Sequence, residues 1–333
     1  DREIRAQGEE GENSHEAKSV RQWYLQAATA RRQTVVILSR SSAQEHKARK
    51  DSLNVSLSTH LFAFHDLDEA IFPLFPRYGF SLAEIWAMPP HFPTGDFPAA
   101  DAVARRMAEH GIRVASVHAP LYPDVRTYKK DRWYSLSSVD EAHRLVSVAA
   151  TTRAAGWLAR NGGGTVVLHT SFPAGQWYPH RWGAFLSSMN ELLDAVPAGI
   201  RFAVENTPVD SGQVSIILDI VDRYPADRVG VCLDLGHAHI EENALSAVRA
   251  AGPRLIHVHA SDNRGEKDEH LVPGKGAIPW NRVTKALRET GFDGPFTVEL
   301  RDYTRGENPT YKDFDQILSE CRASLDRMFR ETR

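Results

Sequence analysis

Between residues 259 and 276 the chain reads HASDNRGEKDEHLVPGKG, a loop that holds His259, His270 and several carboxylates between an apolar run and a helical one. Neutral imidazole and ionised carboxylate are the side chains that hold Zn²⁺, Mn²⁺ or Fe²⁺. The same residue types recur elsewhere at the ends of short apolar runs. SVH ends in His118, VVLH in His169, FAVE in Glu205 and VCLD in Asp234, with His237 three residues on, while FTVEL carries Glu299 near its end. One histidine or glutamate in such a place is ordinarily a hydrogen-bonded structural residue. Six successive runs that end this way point to a metal centre, provided the fold brings their ends together.

The elements that must do so are readable from periodicity. Eight short β-branched or apolar runs qualify as strands: residues 53–60, 82–88, 112–118, 165–169, 200–205, 229–234, 255–259 and 296–300. Amphipathic stretches lie between them, such as AADAVARRMAEHG, SSVDEAHRLVSVAATTRAAGWLAR, RWGAFLSSMNELLDAV and IPWNRVTKALRETG, and TYKDFDQILSECRASLDRMF closes the chain. This order predicts an α/β fold, a (β/α)₈ TIM barrel over residues 53–333, whose reactive face is the mouth where strands end. An open doubly wound sheet would show a Gly-rich phosphate loop after an early strand, and none appears. Residues 1–52 are polar and charged apart from TVVIL, and read as an N-terminal extension, partly disordered or helical around Val20 to Arg31.

The stretches SVHAP, VVLHTS, AVENTP, CLDLGHAH, HVHASDN, DEHLVPGKG and VEL, in this order, resemble the xylose isomerase-like TIM barrel superfamily. That superfamily contains sugar and sugar-phosphate isomerases and epimerases, and also apurinic/apyrimidinic endonuclease IV. The resemblance implies one divalent ion held by Glu205, Asp234, His259 and Glu299, as in the epimerases. The endonuclease branch implies five further ligands and up to three zinc ions, and residues of the right type stand at His118, His169, His237, Asp268 and His270. Asp268 and His270 are two apart, so an extended segment would turn both toward one ion together with His237. The PGKG that follows is a tight turn leading into a helix near Trp280. His257, two residues before His259, is expected one layer deeper in the barrel, buried and hydrogen-bonded. His60, His65 and His239 have no nameable partner and are taken as structural or substrate-facing.

Two chemistries suit such a mouth. In the first, an isomerase or epimerase, a Zn²⁺ or Mn²⁺ ion polarises a sugar's carbonyl and hydroxyl oxygens, and Glu205 and Glu299 remove and return a proton. His237 and Arg264 orient hydroxyls, and Glu84 and Trp86 line the sugar pocket. In the second, clustered zinc ions hydrolyse a phosphodiester in abasic DNA. Duplex binding needs a cationic track, whereas the segment WAMPPHFPTGD has no basic residue and the first loop, HLFAFHDLDEAIFPLFPRYGF, is acidic and aromatic. Arg126, Lys129, Lys130 and Arg132 in a later loop suit a phosphosugar or a solvated lid equally well. The departures Thr170-Ser171 and Leu235-Gly236 lean toward the sugar branch, so the expected partner is a small sugar or sugar phosphate.

Composition bounds the rest. The formal net charge of −3 excludes a cationic nucleic-acid binder at the level of the whole chain. With two cysteines, Cys232 and Cys321, no disulfide framework is expected and a reducing cytoplasm is the simplest location. No apolar signal core or membrane-length run is visible. The apolar AIFPLFPRYGF segment offers a face for a homo-oligomer.

Overall fold

Alternating apolar side chains give each strand one face for helices and one for the barrel axis. The structure, a computed structural model, describes residues 53–92, 97–124, 133–170, 179–208, 213–241, 243–305 and 309–330. The expectations for residues 1–52, and for Arg126, Lys129, Lys130 and Arg132, lie outside the described residues.

The strands are β1 (Asn54–Ser58), β2 (Leu82–Trp86), β3 (Arg113–His118), β4 (Thr165–His169), β5 (Arg201–Glu205), β6 (Val229–Asp234), β7 (Leu255–Ala260) and β8 (Pro295–Val298). They form a closed, all-parallel barrel in sequence order. The ring closes where β1 pairs with β8, Val55 opposite Phe296. All eight overlap the segments expected from sequence, so the (β/α)₈ architecture stands.

The helices are α1 (Leu74–Arg77), α2 (Phe97–Glu109), α3 (Glu141–Arg160), α4 (Pro179–Ala195), α5 (Val214–Val221), α6 (Leu235–Glu241), α7 (Ala244–Ala251), α8 (Trp280–Glu289) and α9 (Phe314–Arg330). α8 buries Val283, Ala286 and Leu287, and α9 buries Ile317, Leu318, Cys321 and Leu325, the i, i+3, i+4 stripe of a helix on a sheet. Outward strand residues such as Val166, Leu168, Phe202, Val204, Leu233 and Val258 join the buried helix faces in one apolar core at zero exposure. Each such side chain contributes about 1.5–3 kcal/mol by leaving water.

Inside the barrel the picture reverses. Near its carboxyl end the lumen is polar, with Ser56, Ser58, Glu84, Ser116, His257, His259 and Thr297 all fully buried. Buried polar groups at this density need mutual hydrogen bonds or a bound cation to offset their lost hydration.

One sequence expectation is corrected here. AIFPLFPRYGF is not an exposed oligomer face: Ile71, Phe72, Leu74, Phe75 and Phe80 are buried in this chain's own core. Phe62 packs against both Phe75 and Phe314, tying the segment beneath the last helix. No helix among the described residues is long and apolar enough to cross a membrane.

Candidate metal centre

Strand ends bring the ligands together. Ligand atoms of Glu205, Asp234, His259 and Glu299, from β5, β6, β7 and the residue just after β8, all lie within 4.8 Å of one another. His259 Nδ1 is 3.1 Å from Glu205 Oε1 and 3.4 Å from Glu299 Oε2. A tetrahedral ion with bonds near 2.1 Å holds its ligand atoms about 3.4 Å apart. The spacing therefore suits a cation at the centre.

Two further groups adjoin this one. His118, His169 and Glu205 form a second trio, and His237, Asp268 and His270 a third, each within the same 4.8 Å limit. Glu205 is shared: its Oε2 stands 3.4 Å from His118 Nε2 and 3.2 Å from His169 Nε2. In the third trio, Asp268 Oδ2 is 3.5 Å from His237 Nε2 and 3.0 Å from His270 Nε2. All nine sequence-derived ligand candidates thus converge on one mouth.

The donor set fits a cation on independent grounds. Glu205 Oε2, Asp234 Oδ2 and Asp268 Oδ1 are buried with no hydrogen-bond donor in proper geometry among the described residues. Such oxygens are costly unless a positive charge faces them. Electrostatics says the same. Burial opposes a proton on His237, yet Asp234, Asp268 and Glu205 outweigh it and raise its pKa to about 10. Burial is likewise overcome at His270 by Asp268, Glu299 and Asp234, which raise it to about 9. Without a metal, protons on histidines are the positive charge that these carboxylates call for.

The carboxylates themselves separate. Burial would raise Glu205, but His259, His169 and His118 hold it well below the ordinary carboxylate range. Burial pushes Glu299 above that range, although His259 and His270 oppose it.

Three of these rings are aimed by their second nitrogen, as metal-binding histidines usually are. His118 Nδ1 donates to the Ala119 carbonyl at 2.9 Å, His237 Nδ1 to the Asn206 carbonyl at 2.9 Å and His270 Nδ1 to the Glu299 carbonyl at 3.2 Å. Asn206 also clips β5 to β6, with its Nδ2 donating to the Asp234 carbonyl at 3.0 Å and its Oδ1 accepting from the Asp234 N–H at 2.7 Å.

The loop after β7 is organised by Asp262. Its carboxylate accepts from the N–H groups of Asn263 (2.9 Å), Gly274 (2.7 Å) and Ile278 (3.2 Å) and from Trp280 Nε1 (2.7 Å). Its backbone exchanges two 2.8 Å hydrogen bonds with Leu271, closing the loop at its neck. Asp268 and His270 meet one centre by a route other than strand alternation. His270 adopts φ 50°, a left-handed conformation that turns its ring inward.

Other expectations change in detail. Glu84 does not line an open pocket: it is fully buried, with Oε1 3.0 Å from His259 Nε2 and Oε2 3.0 Å from His257 Nε2. It sits two residues before the end of β2 and therefore one layer down. Arg264 stays outside the cluster, 63% exposed and paired with Glu269. Trp86 is at the rim, its ring 4.3 Å from that of His60. His60 sits nearer the centre than its sequence context suggested, with Nδ1 3.8 Å from Glu299 Oε1. His257 is buried and hydrogen-bonded to Thr297 at 3.0 Å, and His65 pairs with Asp302 at 3.2 Å. The roles of Asn206 and Asp262 went unread in the sequence, although both lie in quoted motifs.

With barrel and site described, the class follows: the chain belongs to the xylose isomerase-like TIM barrel family, whose profile matches residues 74–320. Among its relatives, an uncharacterized protein of Methanocaldococcus jannaschii is 30% identical over 182 residues, 49% of this chain and 60% of that protein. The D-psicose 3-epimerase of Enterocloster bolteae is 41% identical over 115 residues, 33% of this chain and 36% of the epimerase. The matched segments thus span less than two thirds of these curated relatives. The structure of D-psicose 3-epimerase with D-tagatose from Clostridium cellulolyticum H10 superposes with TM-score 0.66 at 19% identity, over 84% of this chain and 100% of that one, which shows a shared fold.

Proposed function

We propose that the protein is a divalent-metal-dependent isomerase or epimerase of a small sugar or sugar phosphate, using Zn²⁺ or Mn²⁺ held by Glu205, Asp234, His259 and Glu299. The observation that carries this reading is the convergence of four buried side chains at the barrel mouth, in which Glu205 Oε1 and Glu299 Oε2 stand 3.1 and 3.4 Å from His259 Nδ1. The 3-epimerase relatives support the sugar class.

A bound ion would polarise the sugar's carbonyl and hydroxyl oxygens and so acidify the neighbouring C–H. Glu205, ionised, accepts the proton from that carbon, and the electron pair moves toward the carbonyl oxygen. Glu299 passes a solvent-derived proton to the opposite face of that carbon, the electron pair returns to it, and the centre is inverted. His237, held by the Asn206 carbonyl, positions a hydroxyl.

The test is incubation of the Mn²⁺- and Zn²⁺-loaded protein with a panel of ketoses in D₂O. One deuterium at the carbon beside the carbonyl is expected, together with the epimer. Glu205→Gln and Glu299→Gln should each lose both. Absence of exchange with every ketose and ketose phosphate would overturn the reading.

The two additional trios support a second reading, a three-zinc phosphodiesterase acting on abasic DNA. Three tightly held zinc ions per chain together with incision of an abasic oligonucleotide would establish it in place of the first.

A further inference from the structure

His259 is the one imidazole of the four-residue cluster, and its remaining nitrogen meets a carboxylate, whereas those of His118, His237 and His270 meet carbonyls. Its Nε2 is 3.0 Å from Glu84 Oε1. Glu84 is itself held by two further residues, one of them braced in turn. Ser116 Oγ donates to Glu84 Oε2 at 2.9 Å, His257 Nε2 lies 3.0 Å from the same oxygen, and Thr297 Oγ1 is 3.0 Å from that His257 nitrogen. Glu84, Ser116, His257, His259 and Thr297 have zero exposure. Removing a carboxylate this far from water is expensive unless its charge is used.

We propose that Glu84 is a positioning residue for the metal. By accepting the Nε2–H of His259 it sets the tautomer, so that Nδ1 alone faces Glu205 and Glu299, and it makes that nitrogen a stronger ligand. Ser116 and His257 hold the carboxylate against His259 Nε2, and Thr297 in turn contacts His257. Glu84 thus reaches the reaction through His259 and touches no substrate. A carboxylate behind a ligating histidine typically changes metal affinity 10- to 100-fold.

This inference rests on the metal reading of the four-ligand cluster, and the experiment separates the two. Zn²⁺ and Co²⁺ affinities of the full chain are measured by competition with a chelating dye, beside the Co²⁺ absorption spectrum. Glu84→Gln, which keeps shape and loses charge, should weaken binding roughly 10- to 100-fold and shift the Co²⁺ bands. Wild type that binds neither ion overturns the metal reading. Wild type that binds, with Glu84→Gln equal in affinity and spectrum, overturns the role of Glu84 alone. A measurement on wild type is independent of variant folding: long-range ¹H–¹⁵N spectra of the histidine-labelled, zinc-loaded chain should show His259 protonated on Nε2. A proton on Nδ1 instead would overturn the proposal.

Discussion

Asp234 Oδ1 accepts the backbone N–H of His237 at 2.7 Å, so the residue that ends β6 also starts α6. One carboxylate therefore has two tasks, capping a helix and facing the cation site with its other oxygen. Strand and helix follow without a linker because Gly236 has no side chain there: a Cβ would stand 2.6 Å from Ser261 Oγ.

The two tasks separate by substitution. Asn caps as well as Asp, and Ala does not. Asp234→Asn should keep its stability within a few tenths of a kcal/mol while losing most of the metal affinity. Asp234→Ala should lose the affinity and roughly 1 kcal/mol more. Urea unfolding of the metal-free variants beside dye competition checks both. Equal stability of the two variants would deny the cap.

Asp262 should matter to the metal loop without touching a metal. Asp262→Ala strands four N–H donors, three on the backbone and one on Trp280. Buried donors left unpaired cost about 1–3 kcal/mol each, so a loss of at least about 3 kcal/mol is expected, with a change in Trp280 emission. Gly276→Ala attacks the same neck, since its Cβ would stand 2.3 Å from the Asn263 carbonyl oxygen and from Asp262 Oδ1. It should cost about 1–3 kcal/mol. Calorimetry on both variants measures the effect.

Removing the metal should destabilise the fold. A ligand at 100 times its dissociation constant adds about 2.7 kcal/mol. Exhaustive chelation should therefore lower Tm by several degrees, and added Zn²⁺ or Mn²⁺ should restore it. An unchanged Tm would mean that the buried carboxylate oxygens find their counter-charge elsewhere.

His91 supplies a pH dependence away from the mouth. Burial holds its pKa down at about 4, against 6.5 for a free imidazole, even though the carbonyls of Phe62 and His65 accept from its Nε2. The folded pKa is the lower one, so the stabilisation is complete above 6.5 and is lost as pH falls toward 4. At pH 5 about 2 kcal/mol has gone. His91→Gln has no such group. The stability gap between wild type and His91→Gln in urea should therefore narrow by about 2 kcal/mol from pH 8 to pH 5.

The strands and the polar side chains that cluster at the mouth were legible because their signals are local. β-branched runs such as TVVLH and polar residues at their ends need no knowledge of the rest of the chain. What was missed depends on distant partners or on depth. α5 reads VSIILDIV, a nearly continuous apolar run whose helical period is hidden. α6 has Gly236 and His237, weaker helix formers, in its first turn, where Asp234 caps it. The partners of Asp262 stand 12 to 18 residues on, at Gly274, Ile278 and Trp280. Glu84, like His257, stands short of its strand's end, by two residues in β2 and three in β7. Depth was read for the histidine and not for the glutamate.

His270 is the one non-glycine with positive φ among the described residues. L-residues resist that backbone, at a cost of roughly 1–2 kcal/mol, and glycine or asparagine tolerates it better. On the proposed metal reading, the metal-free chain would grow sturdier with Gly at 270 and the loaded one poorer by a ligand. At this position robustness and that chemistry pull against each other, and a screen for thermal endurance would tend to select away the ring.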